Sequence, residues 1–188
     1  MPVLVFTNGD SIELLLNGQS VGVQAVAPHD KAGFSLGFRP GNLTAVATKN
    51  GRPWGTADTH VTGTGPFSIV LRVDAPVVNS SQPLVASGQD VAVLTATVLD
   101  AAGWIVHTDC NQPEITVAVS GNSALLGLGN SDPHDHTPEG RIAGSTRRSF
   151  NGLLRILVET TATAGKITIA ASAVGLQSGT VTVILAKP

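Results

Sequence analysis

Along most of the chain, apolar and polar positions alternate with a period of two. Ile12, Leu14 and Leu16 alternate with Ser11, Glu13 and Leu15, and Phe34, Leu36 and Phe38 alternate with Ser35, Gly37 and Arg39. That period predicts half-buried β-strands. Turn chemistry separates the runs: Asn17-Gly18 and Asn50-Gly51 offer the positive φ that tight hairpins require, and Pro40-Gly41 stands between two further runs. The pattern predicts strands near 3–7, 11–17, 20–26, 33–39, 43–49, 56–62 and 67–73. Short strands at this spacing suit a small immunoglobulin-type sandwich. From Ala75 to Pro83 the alternation stops, with Pro76 and Pro83 enclosing polar residues, which reads as a linker. It resumes at Val91–Leu99, passes a turn at Asp100–Gly103, and continues at Trp104–His107, Ile115–Ser120, Leu153–Thr160, Lys166–Ala173 and Thr180–Ala186. The expected architecture is all-β, with two consecutive immunoglobulin-like β-sandwich domains at 1–74 and 84–188 joined by a linker at 75–83. No window repeats apolar residues at helical spacing, so a barrel of alternating strands and helices and a doubly wound nucleotide fold are both excluded.

Composition narrows the partners. Hydrophobic residues make up 42% of the 188 and charged residues 13%, enough to bury cores beneath a surface of Ser, Thr, Asn and Gly. A net charge of −2 supplies no basic field for a phosphate backbone and no cationic stripe for an anionic bilayer, so neither nucleic acid nor a membrane is expected as a partner. Met1-Pro2-Val3 leads straight into a strand-like run without the basic segment of a signal peptide, and reads as the middle of a longer polypeptide. The lone cysteine, Cys110, has no intrachain disulfide partner and reads as a small packed residue.

The longest irregular stretch is expected at 127–149, and long loops concentrate function. Asp132, His134, Asp135 and His136, with Glu139 nearby, are candidate ligands for Zn²⁺ or, through oxygen alone, Ca²⁺, although their spacing matches no metal signature and solvated turn residues are the plainer reading. Glycoside hydrolysis needs two carboxyl groups held across a sugar site, and the four glutamates, Glu13, Glu114, Glu139 and Glu159, recommend no pair. The common nucleophile-elbow, phosphate-loop and zinc-protease signatures do not occur. Sugar modules stack pyranose rings on exposed aromatics, so Trp54, in the turn-like Gly51–Gly55, and Trp104, just after the Asp100–Gly103 turn, are the candidate carbohydrate contacts. The alternative is that each covers one end of its own core. No tyrosine occurs, and aromatics are only 4% of the chain, fewer than a dedicated sugar surface would show.

Several motifs carry a resemblance. Val5-Phe6-Thr7-Asn8-Gly9-Asp10-Ser11-Ile12-Glu13-Leu14-Leu15-Leu16-Asn17-Gly18-Gln19-Ser20-Val21-Gly22, Pro40–Ala47 and Asp58–Pro66 resemble, in order, segments of the immunoglobulin-like domain that follows the catalytic barrel in bacterial glycoside hydrolase family 2 enzymes of the β-galactosidase type. Asp90–Gly103, Gly127-Leu128-Gly129-Asn130-Ser131-Asp132-Pro133 and Arg148-Ser149-Phe150-Asn151-Gly152 resemble the terminal domain of the same enzymes. The resemblance implies a non-catalytic accessory region whose partner is an upstream catalytic domain of the same parent chain, with polysaccharide or oligosaccharide as a further partner. It implies no cofactor, explains the 127–149 stretch as a family insertion, and places the catalytic glutamates on the barrel. It also implies an exported parent, periplasmic or extracellular. Two alternatives stay open: a stand-alone carbohydrate-binding module using Trp54 or Trp104, and a cell-surface spacer of immunoglobulin-like domains.

Overall fold

The computed structural model describes residues 1–61, 65–75, 84–107, 112–138, 140 and 144–187; the expected linker beyond Ala75, Cys110 and Glu139 lie outside them. The described residues contain strands, turns and bends and no helix. Two compact units divide the chain, Met1–Gly63 and Thr64–Pro188.

The first unit holds β1 (Pro2–Phe6), β2 (Ser11–Leu16), β3 (Gln19–Ala25), β4 (Lys31–Ser35), β5 (Gly41–Lys49) and β6 (Arg52–Val61). β1 pairs with β4 in a two-stranded sheet, and the other four form a sheet in the order β3-β2-β5-β6. Ile12, Leu14, Leu43, Ala45 and Ala47, from the inner face of the larger sheet, pack with Ala32 and Phe34 of β4. The predicted hairpin turns form as their residue types require. Asn17 and Gly18 take φ of 53° and 78°, and Asn50 and Gly51 take 50° and 71°, the paired left-handed conformations of a tight hairpin between twisted strands.

The second unit adds β7 (Ser68–Ala75), β8 (Leu84–Val85), β9 (Val91–Leu99), β10 (Glu114–Gly121), β11 (Ser123–Gly129), β12 (Thr146–Arg148), β13 (Leu153–Thr160), β14 (Gly165–Ser172) and β15 (Gly179–Ala186). One sheet runs β12-β10-β14-β15-β8 and the other β11-β13-β9-β7. Their inner faces supply Leu94, Ala96, Val98, Ile115, Leu154, Ile156, Val158, Ile167 and Ile169, each fully buried. The strict two-residue period on β9 and β13 is what delivers one side chain in two to this layer.

Three expectations change. The segment at 67–73 was expected to close the first sandwich, but β7 pairs antiparallel with β9, Ile69 against Val98 and Leu71 against Ala96, and Ile69 lies in the second core. The boundary therefore falls before β7 and not at Ala75, and the described residues of the first unit form six strands. Alternation shows that a segment is a strand and carries no information about its partner. Second, the irregular stretch is shorter than 127–149, since residues 127–129 belong to β11 and 146–148 to β12. Gly127 hid the strand from the pattern. A Cβ there would stand 2.8 Å from the backbone nitrogen of Gly140, so the position needs glycine for a close approach of two chain segments. Third, Trp104–His107 is not a strand: Ile105 makes a single bridge to Leu99.

Candidate functional site

The stretch after β11 is organised around a buried guanidinium. Arg147, in the middle of β12, is 4% exposed. Its Nε and a terminal nitrogen donate to Asp135 Oδ2, each at 3.2 Å, and its other terminal nitrogen donates to the carbonyl of Leu128 at 2.9 Å. The Asn130 amide donates to the same carboxylate oxygen at 2.7 Å and to the Arg148 carbonyl at 3.0 Å. The other Asp135 oxygen accepts the amide of Thr137 at 2.9 Å. The Thr137 hydroxyl and amide do most to hold the Asp135 carboxyl far below the usual carboxylate range; burial opposes them, and Asn130 and the charge of Arg147 add lesser lowering contributions.

The four candidate metal ligands therefore have different surroundings. Both oxygens of Asp135 accept hydrogen bonds from the protein, and Asp132 accepts the amide of His134 at 2.9 Å, with the His134 ring nitrogen 3.5 Å away. His134 and His136 are exposed. Among the described residues no group of three or more His, Cys, Asp or Glu is placed to hold a metal ion. What the residues assemble is a polar knot that gives a buried arginine its partners.

The two tryptophans stand on different units. Trp54 sits at the register shift between β5 and β6, half exposed at 53%, with its indole N–H donating to Asn8 Oδ1 at 2.5 Å and Lys49 Nζ 4.9 Å from the ring centroid. One ring face is thus close to a cation of its own unit. Trp104 is 48% exposed and follows a turn in which Asp100 Oδ1 accepts the amides of Ala102 and Trp104, both at 2.9 Å.

A groove of about 960 Å³ lies on the outward face of the sheet β11-β13-β9-β7. Register explains its chemistry, because residues directly opposite in a ladder share a face. Arg72, Thr95 and Arg155 stand abreast on β7, β9 and β13, and Val70, Thr97 and Leu153 form the next row. Asp74 closes the first row: Arg155 is 2.6 Å and Arg72 2.8 Å from its oxygens, and the Thr95 hydroxyl donates to it. The Thr95 hydrogen bond first, then the two guanidinium charges, lower the Asp74 carboxyl below its ordinary value despite burial. The Arg72 and Arg155 side chains remain 80% and 48% exposed. Val70 and Leu153 also face solvent. A planar donor pair beside an apolar row is an arrangement able to hydrogen-bond hydroxyl or carboxylate oxygens while an apolar face rests alongside.

Comparison with known proteins decides the family. The model described as "Glycoside hydrolase family 2 C-terminal domain 5" matches residues 76–182, and one described as "Domain of unknown function (DUF4982)" matches residues 1–55. The chain belongs to the glycoside hydrolase family 2 C-terminal domain 5 family. It is 26% identical over 174 residues to the β-galactosidase BoGH2A of Bacteroides ovatus, covering 92% of this chain and 19% of that protein. The chain thus spans about a fifth of its curated relative. A family 2 glycosyl hydrolase of Bacteroides cellulosilyticus shares the fold at a TM-score of 0.85 and 23% identity, over 99% of this chain and 23% of that one. A β-glycosidase from Bacteroides vulgatus does so at a TM-score of 0.79 and 23% identity, over 98% and 22%.

In this family 2 C-terminal region the sequence singles out the tryptophans and the loop carboxylates as candidates but not the row Arg72–Thr95–Arg155. Each of its members occupies the polar phase of an alternating strand, so the signal existed on each strand separately. Only the pairing of β7 with β9 and β13 brings the three together, and the expected domain boundary had assigned Arg72 to the other unit.

Proposed function

We propose that the chain is the non-catalytic C-terminal accessory region of a β-galactosidase-like family 2 hydrolase, supporting the catalytic barrel or access of substrate to it. The observation that carries this reading is the match across nearly the whole chain to only a fifth of a curated β-galactosidase. The test compares the full natural polypeptide with one ending before β1. The truncated enzyme should have a lower Tm, or a raised KM on oligosaccharide with kcat on a small chromogenic galactoside little changed. Unaltered Tm and kinetics would overturn the supporting role, and galactoside hydrolysis by the purified 188-residue chain would overturn the non-catalytic one.

The groove on the β7-β9-β13 face favours a second reading, in which the region also holds glycan. Arg72 and Arg155 would contact sugar oxygens and the Val70–Leu153 row would lie against a pyranose face. Affinity electrophoresis and calorimetry against galactan, xylan, cellulose and polygalacturonate test it. Retardation abolished by Arg155→Gln but not by Trp54→Ala or Trp104→Ala places glycan on this face; loss in a tryptophan variant alone moves the contact to that ring. No retardation on any of these polymers sinks the reading.

A further inference from the structure

The first unit is a sandwich with one position open. Residues directly opposite in a ladder share a face, and Leu43, Ala45 and Ala47 of β5 point into the core. Their partners on β6 are Thr59, Ala57 and Gly55, which therefore lie on the core side of the sheet. Yet all three are exposed. The two-stranded sheet β1-β4 does not extend over them, and a slot of about 300 Å³ remains, with Val5 and Phe6 of β1 on one side, Ile12, Ala45 and Ala47 beneath, and Ala57 on the far side. Phe6 is 75% exposed at its rim.

The two free edges of the small sheet are treated differently. At β4, the Gln24 side chain donates to the Gly33 carbonyl at 2.6 Å and accepts the Gly33 amide at 3.0 Å, closing that edge as a neighbouring strand would. Both backbone groups of Gly33 therefore point away from β1. In an antiparallel ladder the residue opposite behaves alike, so the amide and carbonyl of Leu4 point away from β4, as do those of Phe6 two residues on. They face the slot side, where β1 has no neighbouring strand among the described residues. An edge left with unpaired donors and acceptors next to an uncovered apolar floor is a template for a strand. The pairings β1-β4 and β3-β2-β5-β6 are those of an immunoglobulin sandwich lacking the strand beside β1.

We infer that this edge and slot receive one more β-strand, antiparallel to β1 and donated by the polypeptide that precedes β1 in the parent enzyme. The inference rests on the accessory reading above. The match to 19% of BoGH2A leaves most of such a polypeptide outside this chain, and the family model that matches here is that of a C-terminal domain. A strand that turns back through a tight hairpin into Pro2 arrives antiparallel. Its length is set by β1, about five residues. Alternate side chains enter the slot, where the small Ala45, Ala47, Gly55 and Ala57 leave room for bulky apolar groups, and the intervening ones lie beside Leu4 and Phe6.

Thiol labelling tests the inference. Ala57→Cys is placed both in the 188-residue chain and in the full natural polypeptide, and labelling at position 57 is followed by peptide mass. The donated strand should slow it at least about tenfold in the full polypeptide. Hydrogen exchange on the unsubstituted proteins gives an independent measure, with the Leu4 and Phe6 amides slowed to a similar degree. Equal rates in both forms overturn the inference, and so does protection of the 188-residue chain that grows with its own concentration, which would assign the edge to a second copy. A parent without a hydrolase barrel would sink the accessory reading but leave the labelling ratio to report on the strand. Equal labelling in an active full-length hydrolase would sink the strand alone.

Discussion

Arg147 concentrates the energetic risk of the second unit in one side chain. A guanidinium 4% exposed is tolerable only because Asp135, Leu128 and neighbouring groups satisfy it. Replacing it by Met removes the charge but strands the acceptors gathered around it. We expect Arg147→Met to cost about 3 kcal/mol in urea unfolding, the range found when one partner of a buried pair is removed. The acidic partner makes a separate prediction. The folded pKa values of Asp135 and Asp74 lie below the unfolded value of about 3.9. Their stabilisation is therefore complete above that value and is lost as the pH falls toward and through the folded pKa values. Between pH 7 and 5 the urea midpoint should not change on their account; below about pH 4 it should drop, and Asp135→Asn should flatten that drop while lowering stability at pH 7. An acid profile unchanged by the substitution would show that the carboxylate does not carry the effect.

At the scale of elements, the assignment of β7 decides what can be cut. β7 covers one edge of the β9 sheet and puts Ile69 into the second core, and a Cβ on Gly179 of β15 would stand 2.5 Å from the Ile69 carbonyl, so the two strands approach closely. A fragment of residues 65–188 should unfold cooperatively, whereas 76–188 should show a broad transition or none, because losing β7 removes Ile69 from the core and the ladder partner that flanks Leu94, Ala96 and Val98. Circular dichroism and urea melts of the two fragments settle the matter, and a cooperative 76–188 fragment would restore the boundary expected near Ala75. β11 and β12 teach the same lesson. Gly127 and Gly129 interrupt the alternation of β11, and β12 is three residues long, below the length at which a period can be read.

At the scale of the whole molecule, the two cores are unequal. Among the described residues, eight buried ones form the first and eighteen the second. Small domains bury a smaller fraction of their surface and are marginal, and the first unit also leaves Gly55, Ala57 and Thr59 uncovered. We expect it to melt first. Trp54 and Trp104 report the units separately, so fluorescence melts of Trp104→Phe and Trp54→Phe should give a lower midpoint for the variant that retains Trp54; coincident midpoints would refute the difference. The all-β class, the hairpins at Asn17-Gly18 and Asn50-Gly51, and the family were legible in the sequence, because alternation, turn chemistry and motif order are local properties of the chain. Which strand pairs with which was not, because a strand's period tells which side chains face in and says nothing of its neighbour. Tertiary structure alone therefore moved β7 to the second unit, gathered Arg72, Thr95 and Arg155 into one row, gave Asp135 to Arg147, and left the edge of β1 without a strand partner among the described residues.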